Sequence, residues 1–161
     1  MKNSQKGFSL IELLIVVLTI SIIAAIAIPN VIASRRTANE GSAISSLRAI
    51  HSAEFIYSTT SGGGSFTDDL AVLENAGMID GNLGSEYKSG YHFKVRVDPS
   101  TTLSFTVGAV PQVTSGMMKT GTRKFCMTAH GFPRMDNNPA TLGVNIENDG
   151  DCTAANYSTE L

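Results

Sequence analysis

The chain has 161 residues and a mass of 17.0 kDa, room for one compact domain and an appendage but not for two full domains. Its formal charge is −2, and no basic stripe interleaved with aromatics appears, so no direct nucleic-acid site is indicated. There is no nucleophile–base motif, phosphate loop or Cys-x-x-Cys pair, and His51, His92 and His130 lack metal-ligand spacing; an enzyme and a bound cofactor are both unindicated.

The first element in chain order is an apolar run from Phe8 to Ile28, whose one charged residue is Glu12. As a helix, 21 residues cover about 30 Å, the thickness of a hydrocarbon core. Beyond Asn30 the chain is polar and Gly-rich, so it reads as an apolar rod and a soluble head. Two ordinary readings of the rod compete. A secretory signal would use Lys2 and Lys6 as its basic region and Ala25-Ile26-Ala27 as its cleavage site, but the run is long for that and contains an acid. A single-pass anchor accepts the length, since an acid near the end of a span costs less than the ~3 kcal/mol of a central one. Its orientation is ambiguous, with Lys2 and Lys6 before the span and Arg35 and Arg36 after it. Neither explains Glu12.

The string Lys6-Gly7-Phe8-Ser9-Leu10-Ile11-Glu12 closely resembles the processing site of type IV prepilins and the related pseudopilins. The resemblance is strong from Met1 to about Tyr57 and extends to the head only in general layout. It implies cleavage between Gly7 and Phe8 by a membrane-embedded prepilin peptidase, which then N-methylates Phe8 using S-adenosylmethionine. It also implies that the apolar run stays with the mature protein and that a glutamate at the position of Glu12 serves assembly. Elementary electrostatics agrees. A new α-amine on Phe8 is largely cationic at neutral pH, and Glu12 lies one helical turn away, at a helix end that favours an anion. Within a subunit or between neighbours the two charges can neutralise each other, and a paired carboxylate in a dry core costs far less than a lone one. Without Lys2 and Lys6 the side chains comprise 10 basic and 14 acidic groups, a balance of −4.

Pro29 removes one helical hydrogen bond and predicts a kink. Filaments of the resembled family often unwind before such a proline, although this chain has no glycine between Phe8 and Ile28 to favour that. Gly41 is a second soft point. Ala43, Leu47, Ile50, Ala53 and Tyr57 then recur at steps of three and four, an amphipathic stripe, with Arg48, Ser52 and Glu54 mostly off it. Phe8 to about Tyr57 is therefore expected to be one long, kinked helix whose second half covers the head. Thr60 to Ser65 is a Gly-rich break; a short helix opens at Thr67 as cap and closes near Gly77; Gly81 to Gly90 reads as loop. Tyr91, Phe93, Val95 and Val97 alternate with polar residues, and Leu103, Phe105 and Val107 repeat the pattern after a turn at Asp98-Pro99-Ser100. A third strand is expected over Arg123 to Thr128, and His130-Gly131 turns into a short fourth. The fold class is α+β, the type IV pilin layout of a long N-terminal helix on a small antiparallel sheet of about four strands.

An even pair of cysteines on the exported side of a membrane, Cys126 and Cys152, points to a disulfide, two free buried thiols being the other reading. In the resembled pilins such a C-terminal disulfide closes a surface loop used in subunit contacts and display. Asn145 to Asp151 places oxygen ligands at alternate positions with a glycine at the sixth, but Asn145 replaces the usual Asp and Asn156 the bidentate Glu. It is read as a solvated acidic turn and no metal is assigned, with Glu147, Asp149 and Asp151 the candidate cation ligands; several secretion pseudopilins bind calcium in such a loop. Asn156-Tyr157-Ser158 is a glycosylation sequon.

The expected organisation is a leader over residues 1–7, a membrane and filament-core helix over 8–29 and a head over 30–161. The site residues are Gly7 and Phe8 for processing and Phe8, Glu12 and Pro29 for assembly. The resemblance implies a structural subunit, held in the inner membrane and then polymerised with identical subunits into a surface filament that supports adhesion, motility or DNA uptake. Its partners are the membrane, the peptidase and the assembly machinery. The alternative is a major pseudopilin of a type II secretion system.

Overall fold

The computed structural model describes residues 7–98, 103–146, 152, 157, 159 and 160. Leu10–Thr60 forms helix α1, which is helical through both Pro29 and Gly41. Two short helices come next, α2 (Leu70–Asn75) and α3 (Gly81–Gly84), and then the strands β1 (Tyr87–Lys88), β2 (Tyr91–Val97), β3 (Phe105–Pro111), β4 (Lys124–Thr128), β5 (Pro133–Asp136) and β6 (Thr159–Glu160). All pairs are antiparallel and the order is that of the chain. The chain divides into two compact units, one ending at Ser34 and one beginning at Arg35. The second holds the core.

The amphipathic stripe behaves as its spacing predicts: Ala43, Leu47, Ile50 and Ala53 are buried. They meet the sheet face made by Phe93, Phe125, Val107 and Met127. Register explains that face, since Phe93, Ala109, Phe125 and Met135 lie side by side across four strands. The opposite row, Lys94, Gly108, Cys126 and Arg134, looks away from the helix. It is covered too, because every residue of β3 is buried. Asn145 and Ile146 cross over Gly108, where an added Cβ would collide with both. Cys126, Ile146, Cys152 and Tyr157 form a second small apolar cluster there. Within it Cys126 and Cys152 are joined by a disulfide.

Several expectations need correcting. Among the described residues the four expected strands are present, and two of two residues each are added at the sheet's edges. Gly81 to Gly90 is not loop: it contains α3, capped by Asp80, and β1, which turns into β2 through Ser89 and Gly90. Both turn residues have positive φ, 49° and 74°, the two-residue hairpin turn that matches strand twist. The cap of α2 is Asp69, whose carboxylate accepts from the Ala71 N–H; Thr67 instead accepts from the Asp69 N–H one step earlier. Leu103 lies outside β3 and is exposed, and β4 begins at Lys124.

Two carboxylates depart from the pattern in a more consequential way. Glu40 is buried and accepts four bonds, from the Thr122 N–H and hydroxyl and from two nitrogens of Arg123. Burial pushes its carboxyl up, but those donors and the Arg123 charge outweigh that and hold it below the usual range. Glu54 is fully buried, not off the stripe. Its Oε2 accepts from the Thr67 N–H at 3.1 Å, while its Oε1 has no hydrogen-bond partner among the described residues. Burial pushes it up to about 7, opposed by the Thr67 N–H and aided by the nearby Asp68 charge.

The disulfide closes a loop of 26 residues. On the chain-entropy account, replacing both cysteines by serine is expected to lower head stability by about 3 kcal/mol. Denaturant unfolding of the two forms checks this, and equal midpoints would contradict it.

Candidate functional site

The residues singled out at the N-terminus are those around the first turn of α1. Gly7, Phe8 and Ser9 precede the helix and are exposed, Phe8 at 89%. Ser9 occupies the cap position: its carbonyl accepts from the Leu13 N–H at 3.3 Å. Glu12, three residues on, reaches back so that its Oε2 accepts from the Ser9 N–H at 3.1 Å. This reciprocal spacing, Ser-x-x-Glu ahead of an apolar run, is that of a capping box. The signal is present in the sequence, where Glu12 is expected to pair with the Phe8 amine at a helix end that favours an anion, but not to make this particular bond. Within one chain, Glu12 satisfies an orphan donor of its own helix end.

Behind this turn the helix is apolar on every side. All fifteen large apolar side chains from Phe8 to Val31 are more than half exposed. Ser21 and Thr19 do not interrupt this surface, because each hydroxyl donates to a carbonyl one turn back, Val17 and Val16, at 2.8 Å. A hydroxyl satisfied inside its own helix adds little cost in hydrocarbon. The helix is long and apolar enough to cross a membrane. In water such a surface is a strong driving force for association, at about 25 cal/mol for each Å² covered. Pro29 lies within the helix, and its missing N–H leaves the Ala25 carbonyl without its usual donor.

The candidate cation ligands Glu147, Asp149 and Asp151 lie outside the described residues, as do Asn156 and Ser158 of the sequon. Tyr157 is buried, its ring 4.6 Å from the Lys124 ammonium. His51 sits 3.1 Å from the Ala129 carbonyl, tying α1 to the turn after β4, and His92 lies 3.1 Å from a Glu86 oxygen.

Comparison with known proteins gives one match on the same stretch. Residues 2–28 match the prokaryotic N-terminal methylation motif. The chain is also 58% identical over 40 residues to the type IV wide pilus major component PilA4 of Thermus thermophilus. That match covers 25% of this chain and 30% of the relative's length. No solved structure matches the chain. The motif, the relative and the apolar helix support a type IV pilin.

Proposed function

We propose, from that N-terminal likeness to the type IV pilins, that the chain is a structural subunit polymerising into a pilus with apolar helices inside and heads outside. The observation that carries the reading is the apolar run of 8–31, its large side chains uncovered, bearing one carboxylate at the first turn of α1. A monomer in water has no cover for that surface. A bilayer covers it before assembly, and copies of the same helix cover it afterwards. The role is structural, with no substrate to turn over.

On this reading residues 1–7 are a leader cut between Gly7 and Phe8 by the prepilin peptidase, and Phe8 is then N-methylated. Residues 8–29 serve first as anchor in the inner membrane and then as filament core, and 30–161 form the head. Glu12 meets the Phe8 amine of its own or a neighbouring subunit, and Pro29 softens the helix where the core ends. The assembly machinery extracts the subunit from the membrane to the cell surface. Adhesion, motility and DNA uptake belong to the filament and its motors. A pilus is preferred to the pseudopilus of a type II secretion system because the matched relative is a pilus component.

Mass spectrometry of the exported chain tests the processing step. The expected N-terminal residue is N-methyl-Phe8. A chain beginning at Met1, or at Ile28 after a secretory cleavage, would overturn the prepilin reading.

A further inference from the structure

The loop between β3 and β4 carries two methionines in the open. Met117 and Met118 are 70% and 71% exposed, and Val113 at the loop's start is 43% exposed. The loop is nevertheless held firmly. Thr120 and Val113 close it, the Thr120 N–H donating to the Val113 carbonyl at 2.9 Å. Arg36 on α1 donates to the Met117 carbonyl at 2.6 Å and to the Lys119 carbonyl at 3.2 Å, and Asn39 donates to the Thr120 carbonyl at 3.0 Å. Glu40, one turn on, holds Thr122 and Arg123. A clamp of three helix residues thus presents an apolar tip that is largely uncovered.

The two chain stretches that meet at the tip carry only basic charge. No acid occurs between Glu12 and Glu40, nor between Asp98 and Asp136, and the clamp brings these two acid-free stretches together. Lys119 comes directly after the tip and Arg35 precedes the clamping Arg36. The hairpin turn Ser89-Gly90, whose glycine lies against Thr120 and Asn39, is also neutral. Glu40, the acid that follows the clamping Arg36 and Asn39 on α1, is committed to Arg123 at 2.6 Å. An apolar tip flanked by cations, its neighbouring acid neutralised by an arginine, is the chemistry of a surface that meets anionic headgroups and the upper acyl region.

We propose that the Met117–Met118 tip seats on the surface of an anionic bilayer while the subunit is anchored, steadying the head before assembly. The proposal rests on the reading that the apolar run spans the membrane. It commits to lipid over a second copy because Arg36 stands only eight positions beyond Ile28, the last residue of that run. Whenever the run is in a bilayer, the clamp is within a short length of chain of its surface.

The chain has no tryptophan, so one introduced indole is the sole reporter. The full chain carrying Met118→Trp is reconstituted into vesicles of phosphatidylglycerol or of phosphatidylcholine, each containing brominated acyl chains. Phe132→Trp, at another exposed apolar site, and Ile15→Trp, inside the apolar run, are the controls. The expected result is quenching at Met118→Trp by about half in the anionic vesicles and little in the zwitterionic ones, with Phe132→Trp unquenched in both. Adding Lys119→Glu to Met118→Trp should remove most of that quenching. Quenching no greater than at Phe132→Trp, or equal in both lipids, overturns the proposal. So does a blue shift that grows with protein-to-lipid ratio regardless of lipid charge, which would assign the tip to a second copy. Failure of Ile15→Trp to be quenched overturns the anchoring itself, and so is distinguishable from failure at the tip alone.

Discussion

Glu12→Ala is expected to leave membrane insertion and cleavage after Gly7 largely intact while nearly abolishing filament assembly. Losing a charge from the apolar run favours insertion, by up to about 3 kcal/mol for a central acid. The head keeps its fold, because its core begins with residues beyond Arg35. Assembly suffers because each entering subunit brings a Phe8 amine into a low-dielectric core without its partner. An uncompensated buried charge of that kind costs about 3–5 kcal/mol, roughly a hundredfold or more in the equilibrium for adding a subunit. The capping bond to the Ser9 N–H offers a competing explanation, and Glu12→Gln separates the two. Glutamine can occupy the same capping position, and the lost cap is in any case worth only about 1 kcal/mol. If capping were the role, Gln would assemble normally; if charge is, Gln should fail as Ala does. The readout is the ratio of surface filament to membrane-bound mature subunit, and abundant filaments from both variants would contradict the account.

The head should lose stability as pH rises from about 4.5 to about 7, and Glu54 is the cause. Its carboxyl titrates near 7 in the folded head against about 4.5 when unconstrained. Below the lower value both states hold the proton and the group is neutral to stability. Between the two values the unfolded chain ionises while the folded one does not, so the unfolded state gains. Above about 7 the full difference is reached, roughly 3 kcal/mol. Glu40 and Asp136 act in the opposite sense at lower pH, since both are held below their usual range and lose their contribution as they take up protons. The interval from about 4.5 to 7 therefore isolates Glu54. Denaturant unfolding at pH 5 and pH 7.5 should show the decline in the parent, and Glu54→Gln should be nearly flat. An equal slope in both would remove Glu54 as the source.

How far the sequence carries the fold depends on whether a feature is local. The α1 stripe and the alternation of β2 are local patterns, and both appear in the structure where spacing places them. β1 and β6 have two residues each and exist only through register with a neighbour, so no local period could reveal them. Glu40 and Glu54 look like solvent-facing charges because their partners, Arg123 and Thr67, lie 83 and 13 residues away. The burial of β3 on both faces has a trace in Gly108, whose lack of a side chain makes room for Asn145 and Ile146, but that crossing is set by the C-terminal segment. At the N-terminus the processing motif is legible directly. The capping spacing of Ser9 and Glu12 is equally visible there, yet the charge pair alone already accounts for the acid and leaves the cap unsought.

The most direct test of the filament reading is electron microscopy of material sheared from the cell surface, with the fibres' subunit identified by mass spectrometry. Long, uniform fibres built from this chain, beginning at N-methyl-Phe8, are the expected result. Sheared material without such fibres, with the mature chain retained in the membrane or released as a soluble monomer, would contradict it.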